Sequence, residues 1–190
     1  MAAPLTITPP PPRTWWRRPV PPGAGPWGYG ATSDAHHGTA PHPTGGPAGR
    51  AVAPALREAP VTPGEPAYGN ARGTDTALGG RLECEAPRQA LGAGVLAELH
   101  LASGKGALGH RLGAAGAVEA VTTLQALRHG VAPPTVGLRR PDPALGPLDL
   151  VRTARKLSTR ARTGELVGLS TSFRFGGHDA AQVLAAEGRS

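Results

Sequence analysis

Aromatic side chains make up only 4% of these 190 residues, and there is a single cysteine, Cys84. One thiol excludes an internal disulfide and any zinc site built from several cysteines. No apolar run approaches the roughly 18 residues that a membrane helix needs, and no apolar stretch follows Met1 to act as a secretory signal. Lysine occurs only at Lys105 and Lys156, and no acidic residue precedes Asp34. The formal net charge of +7 is therefore carried by arginines. They are dispersed along the chain without a nucleic-acid motif, so nucleic acid is not an expected partner. Large core-forming side chains are scarce, because the 39% hydrophobic fraction is padded by alanine. What is abundant is Gly (28) and Pro (22), together about a quarter of the chain, close to the level read as low complexity.

Residues 1–26 (MAAPLTITPPPPRTWWRRPVPPGAGP) are Pro-rich and carry Arg13, Arg17 and Arg18. Four consecutive prolines favour polyproline II and cannot continue a helix, so this stretch is expected to be disordered. Acid-poor, Arg-bearing N-termini also resemble organelle transit peptides, which usually need an amphipathic helix. Residues 27–187 are expected to form one α/β domain, with 188–190 as a tail. Residues 27–50 read as loop. His36, His37 and His42 sit there without a cysteine or a carboxylate pair, a weak basis for a metal site. No metal and no other cofactor is expected.

Farther on, 51–59 reads as a short helix interrupted by Pro54, Tyr68–Ala71 as a strand, and 78–92 as a helix in conflict with Pro87. Val95–Ala102 reads as a strand leading into a loop with Gly104, Gly106 and Gly109. Helical spacing of Ala114, Ala117, Val121 and Leu124 predicts a helix over Gly113–His129, stopped by Gly130. Leu148–Arg152, Leu166–Thr171 and Ala180–Ala185 read as strands, the last two separated by Gly176-Gly177. This alternation argues for a layered α/β fold.

Several ordered segments carry a family resemblance: GYGATSDAHHGTAPHP (28–43), ALREAPVTPGEPAYGNARGTDTALGG (55–80), SGKGALGHRLGAAGAVEA (103–120), APPTVGLRRPDP (132–143) and GLSTSFRFGGHDAAQVLA (168–185). Together they resemble the C-terminal part of the β-ketoacyl-acyl-carrier-protein synthases, roughly the last 40% of a normal enzyme. The resemblance implies the C-terminal half of a thiolase-like layered αβαβα fold and an acyltransferase of fatty-acid biosynthesis. Such enzymes condense an acyl thioester with malonyl-carrier thioester, with loss of carbon dioxide. Their site combines a Cys nucleophile from the first half with two His residues from the second. Acyl carrier protein and malonyl or acyl thioesters are the implied partners.

Carried over residue by residue, the resemblance makes His110 the second active-site His and Lys105 with Glu119 a buried supporting pair. Arg72 stands in NARGT where the family has His, and guanidinium lacks the acceptor of a neutral imidazole. Phe175 matches the residue that gates acyl entry, with Gly176 and Gly177 as its hinge. Arg174 replaces a glycine of that loop and would be strained if the backbone there had positive φ. Asp179 stands where Asn is common, Asp75 where a small residue is usual, and Gly80 where an acid is common. Cys84, between Glu83 and Glu85, has neighbours that would raise a thiol pKa, so it is expected to be packing rather than nucleophile.

The resulting expectation is a truncated, diverged relative that is inactive as this isolated chain. The alternative is a non-catalytic partner, dimerised with a full-length condensing enzyme. A degenerate product is a third reading, prompted by Pro60, Gly69, Arg72, Pro87 and Arg174, which local structure or the family pattern would resist. The KGALGH segment resembles mitochondrial-type members, placing mitochondrion ahead of cytoplasm.

Overall fold

The computed structural model describes residues 24–188 except Asp75. The expectations for residues 1–23, for Asp75 and for 189–190 lie outside the described residues. Its centre is a five-stranded mixed sheet in the order β1-β7-β6-β2-β3. The strands are β1 (Ala24–Ser33), β2 (Tyr68–Asn70), β3 (His100–Ala102), β6 (Leu166–Phe173) and β7 (His178–Ala186). β2 runs parallel to both β3 and β6, whereas β7 is antiparallel to β6 and β1. A small antiparallel pair, β4 (Val131–Ala132) with β5 (Arg155–Lys156), lies apart from it.

Alternation along the two long central strands divides the interior into two cores. Val167, Leu169 and Phe173 of β6, with Ala181, Val183 and Ala185 of β7, pack with helix α1 (Gly46–Glu58). Leu166, Leu184 and Ala186 instead join Ala126 and Leu127 of helix α5 (Ala115–His129). The α/β layering thus follows from period-2 burial in the sheet and period-3.6 burial in the helices. In α1 the buried set Ala48, Ala51, Val52, Ala55 and Leu56 forms one such stripe.

Several elements differ from the sequence expectation. Residues 27–33 are strand rather than loop, and the boundary expected at residue 26 falls inside β1. The glycines that suggested a loop are required by packing. A Cβ on Gly28 would lie 2.0 Å from the Ala55 carbonyl oxygen, and one on Gly30 would lie 2.1 Å from that of Ala51. α1 begins at Gly46, with Pro47 in its first turn, and continues through Pro54. An interior proline costs about 3 kcal/mol, here offset by the stripe packed on β1 and β7.

Helix α2 (Ala77–Leu91) likewise contains Pro87 and ends at Gly92, whose φ of 88° suits only glycine. The expected strand from Val95 is instead a short helix α3 (Ala93–Glu98) followed by β3, because burying Leu96 and Leu99 satisfies either secondary structure in so short a run. Lys105–Leu108 is one helical turn, α4, rather than loop. The expected strand at Leu148–Arg152 reduces to a bridge between Leu150 and Leu101. It is fastened by His100 Nδ1 at 2.5 Å from Asp149 and by Arg155 on the same carboxylate. α5 follows a 3-10 turn at Leu112–Ala114 and ends at Gly130 in the left-handed region.

Placing a methyl group at Gly28 or Gly30 would wedge α1 off the sheet. Gly28→Ala and Gly30→Ala are each expected to lower stability by about 1–3 kcal/mol, read as a lower urea midpoint with an unchanged slope.

Candidate functional site

Because β1, β2, β3 and β6 point the same way, their carboxyl ends share one edge of the sheet. The loops leaving that edge carry Asp34 after β1, Arg72 after β2, Lys105 and His110 after β3, and Arg174 after β6. Loops at the carboxyl ends of parallel strands are a frequent place for ligand sites. Here they border a cleft of about 670 Å³. Arg72, Lys105, His110 and Glu119 all line it, together with Arg174, His178 and Asp179.

At the cleft floor, Lys105 Nζ donates to Glu119 Oε1, with the two side chains only 8% and 5% exposed. Ser172 of β6 donates to the other Glu119 oxygen at 3.2 Å. The backbone carbonyl of Glu119 accepts from Asn70 Nδ2 at 3.1 Å and from the Thr123 hydroxyl at 2.7 Å. One residue of α5 is therefore bound to β2, β6 and the turn after β3. Gly106 permits this arrangement, since a Cβ there would lie 2.0 Å from the Val136 carbonyl oxygen.

His110 is exposed, and its Nδ1 accepts the Leu112 backbone N–H at 3.2 Å. Accepting at Nδ1 places the proton of the neutral ring on Nε2, leaving an N–H donor for a carbonyl or enolate oxygen. Arg72 is half-buried beside Gly73, whose N–H donates to both oxygens of Glu83 at 3.1 and 2.9 Å. Burial pushes the Glu83 carboxyl up to about 7, against the pull of the Gly73 N–H and the charges of Arg72 and Lys105. Burial and the nearby Asp34 charge push Asp179 up to about 6 while Arg72 opposes them. Neither acid is marked by the motifs as a partner of Arg72; Asp179 in place of Asn was the available signal.

The glycine-rich loop is only partly brought to the cleft. Gly176 and Gly177 have φ of 79° and 71°, which glycine adopts freely. Gly177 is pinned to the end of β1, its carbonyl accepting the Asp34 N–H at 2.9 Å. Phe175 occupies the same 3-10 turn, and its side chain lies outside the described residues. Arg174 has an extended backbone, φ −125° and ψ 161°, so the strain considered for it does not arise.

Cys84 stands apart from this cleft and borders a second cavity of about 550 Å³ formed with α2. Burial, reinforced by Glu83 and Glu85, pushes its thiol up to about 11, so at neutral pH it carries almost no thiolate. Among the described residues no group of three or more His, Cys, Asp or Glu side chains is placed to hold a metal ion. His37 and His42 use Nδ1 to accept backbone N–H groups in the turn after β1. No helix among the described residues is long and apolar enough to cross a membrane.

The family model described as "Beta-ketoacyl synthase, C-terminal domain" matches residues 26–139. The chain belongs to the β-ketoacyl synthases. It is 39% identical over 163 residues to the mitochondrial 3-oxoacyl-[acyl-carrier-protein] synthase of Arabidopsis thaliana, covering 83% of this chain and 33% of that protein. With 3-oxoacyl-[acyl-carrier-protein] synthase 2 of Synechocystis it shares 41% over 152 residues, 80% of this chain and 35% of the relative. Among solved structures, a ketosynthase in complex with its chain length factor from Xenorhabdus doucetiae superposes with a TM-score of 0.77. That match has 34% identity over 88% of this chain and 40% of the other. The fold is thus that of the thiolase-like condensing enzymes, and the chain spans about a third of the length of these curated synthases.

Removing one partner of the floor pair strands a buried charge. Lys105→Met is expected to cost about 3–5 kcal/mol by chemical denaturation. Combining it with Glu119→Leu should recover much of that loss.

Proposed function

We propose that this chain provides the second-half face of a β-ketoacyl synthase site and does not complete condensation by itself. The observation that carries this reading is the buried Lys105–Glu119 pair at the floor of the cleft that His110 also lines. The chemistry proposed for that cleft is decarboxylative condensation of a carrier-bound malonyl thioester with an acyl thioester. The malonyl carboxylate leaves as carbon dioxide, its bonding pair forms the enolate, and that carbon attacks the acyl carbonyl and expels a thiolate. His110 Nε2–H is the donor for the developing enolate oxygen, a role that requires water to be excluded from this exposed side chain when the thioester binds. Lys105 and Glu119 position the turn before His110. Arg72, permanently protonated, adds positive charge but cannot exchange a proton as an imidazole does.

The missing component is an activated thiol. Cys84 is protonated at neutral pH and lies at another cavity, so these 190 residues form no acyl-enzyme. Acyl carrier protein as partner is supported by the names of the Arabidopsis and Synechocystis relatives. In the second reading the chain is a non-catalytic partner of a complete synthase, favoured by the Xenorhabdus ketosynthase having been solved with its chain length factor. The mitochondrial relative supports a mitochondrial location, and the bacterial ones a cytoplasmic alternative.

The test is an assay of the purified chain with malonyl- and acyl-carrier thioesters. The expected outcome is no condensed product, with Arg72→His still at background because the nucleophile remains absent. Turnover by the chain alone would overturn the reading.

A further inference from the structure

The chain departs from the family pattern at two positions that the fold brings to one place. Arg72 replaces His in the loop after β2, and Asp179 replaces Asn at the start of β7. The two are over a hundred residues apart in sequence, yet both line a small cavity of about 20 Å³ that Glu83 of α2 and Asp34 also border. A cavity of that size holds about one water, enough to bridge charged groups across it. Glu83 and Asp179 are each only 6% exposed. An isolated carboxylate at such depth is costly unless a cation or hydrogen-bond donors meet it.

We propose that Arg72 and Asp179 are a compensating pair, in which the arginine at the family's His position balances the carboxylates of Asp179 and Glu83 and ties the loop after β2 to β7 and α2. The loop's connection to α2 is made directly by Glu83, whose two oxygens accept the Gly73 N–H. The other charged groups around the cluster do not replace Arg72. Asp34 adds negative charge, and its oxygens already accept the backbone N–H groups of His36 and His42. Lys105 is bound to Glu119. Arg50 of α1 acts on Asp179 more weakly than Arg72, and His42 is engaged with Thr44. Arginine at 72 is on this account a coupled replacement rather than damage, because it offsets the cost of a buried carboxylate at 179 that an Asn there would not incur. The inference rests on family membership and not on the activity proposed above.

The pH behaviour has a definite sign. Burial holds both carboxyls above their ordinary values, Asp179 near 6 and Glu83 near 7, and Arg72 pulls both down. The folded chain therefore keeps protons that the unfolded chain has released. Their contribution to stability is full below about pH 4 and falls as pH rises through 6 and 7. Without Arg72 both groups would move higher, and the fall would continue to higher pH and be larger in total.

A double-mutant cycle on the full chain, read by urea unfolding at pH 7.5, tests the pair. Arg72→His is expected to lower the folding constant about tenfold or more, whereas Asp179→Asn, which removes the carboxylate that Arg72 offsets, should change it much less. The double variant should then lie at least about fivefold above the product of the two single-variant changes, within the coupling seen for residues that share a cavity. Independent, multiplicative losses would overturn the proposal. If a single variant does not fold, Arg72→Lys against Arg72→Gln decides. Retained stability and pH slope in the lysine variant alone support charge compensation, and equal behaviour of the two contradicts it. Because every readout is stability, failure here leaves the condensation reading untouched, and a failed condensation assay leaves this one untouched.

Discussion

Two opposite charges, Lys105 and Glu119, are held almost out of water where α4 meets α5, and the geometry of the cleft depends on that contact. Each ion removed from water costs several kcal/mol, which only its partner and close hydrogen bonds can offset. Here the offset is shared among Ser172 on the Glu119 carboxylate and Asn70 and Thr123 on its backbone carbonyl. The pair therefore fixes where the turn carrying His110 leaves the floor, and joins that turn to β2 and β6. A lysine at this place, in a sequence with only two, is consistent with a position chosen for charge placement rather than solubility.

Around that contact the fold works through topology and small side chains. Parallel alignment of β2, β3 and β6 brings three loops to one edge, and antiparallel β7 returns the chain to the same place. Glycine and alanine let α1 lie directly on the sheet, which explains how a chain so poor in large apolar residues closes two cores. Most of the substitutions that suggested decay are accommodated. Pro60 follows Ala59 in extended backbone, as a residue before proline prefers. Gly69 leaves room for Leu101, whose methyl lies 2.6 Å from where a Cβ would be. Pro87 sits within a continuous α2, and Arg174 has unstrained backbone. Gly80 is different: a Cβ there would meet nothing within 4 Å, and the structure gives no reason for glycine.

Much of this was legible in the sequence. Helix α5 was marked by its period and by Gly130, and β6 and β7 by short apolar runs around Gly176-Gly177. Lys105, His110, Glu119 and Arg72 were marked by a family pattern, and they do meet at one cleft. What was not legible depended on contacts between distant segments. Gly28 and Gly30 give a loop signal in sequence and a packing signal only once α1 lies against them. Val95–Ala102 is a short apolar run, and only Gly92 restarting a helix decides its form. The partnership of Arg72 with Glu83 and Asp179 crosses α2 and β7, and no local spacing encodes it.

The central claim is that this chain carries the supporting face of a condensing site without its nucleophile. Intact-mass spectrometry after incubation with an excess of a medium-chain acyl thioester at pH 7 tests it most directly. An unmodified mass is expected, because the half-buried Cys84 thiol stays protonated away from the cleft. A stoichiometric acyl adduct on Cys84 would contradict it.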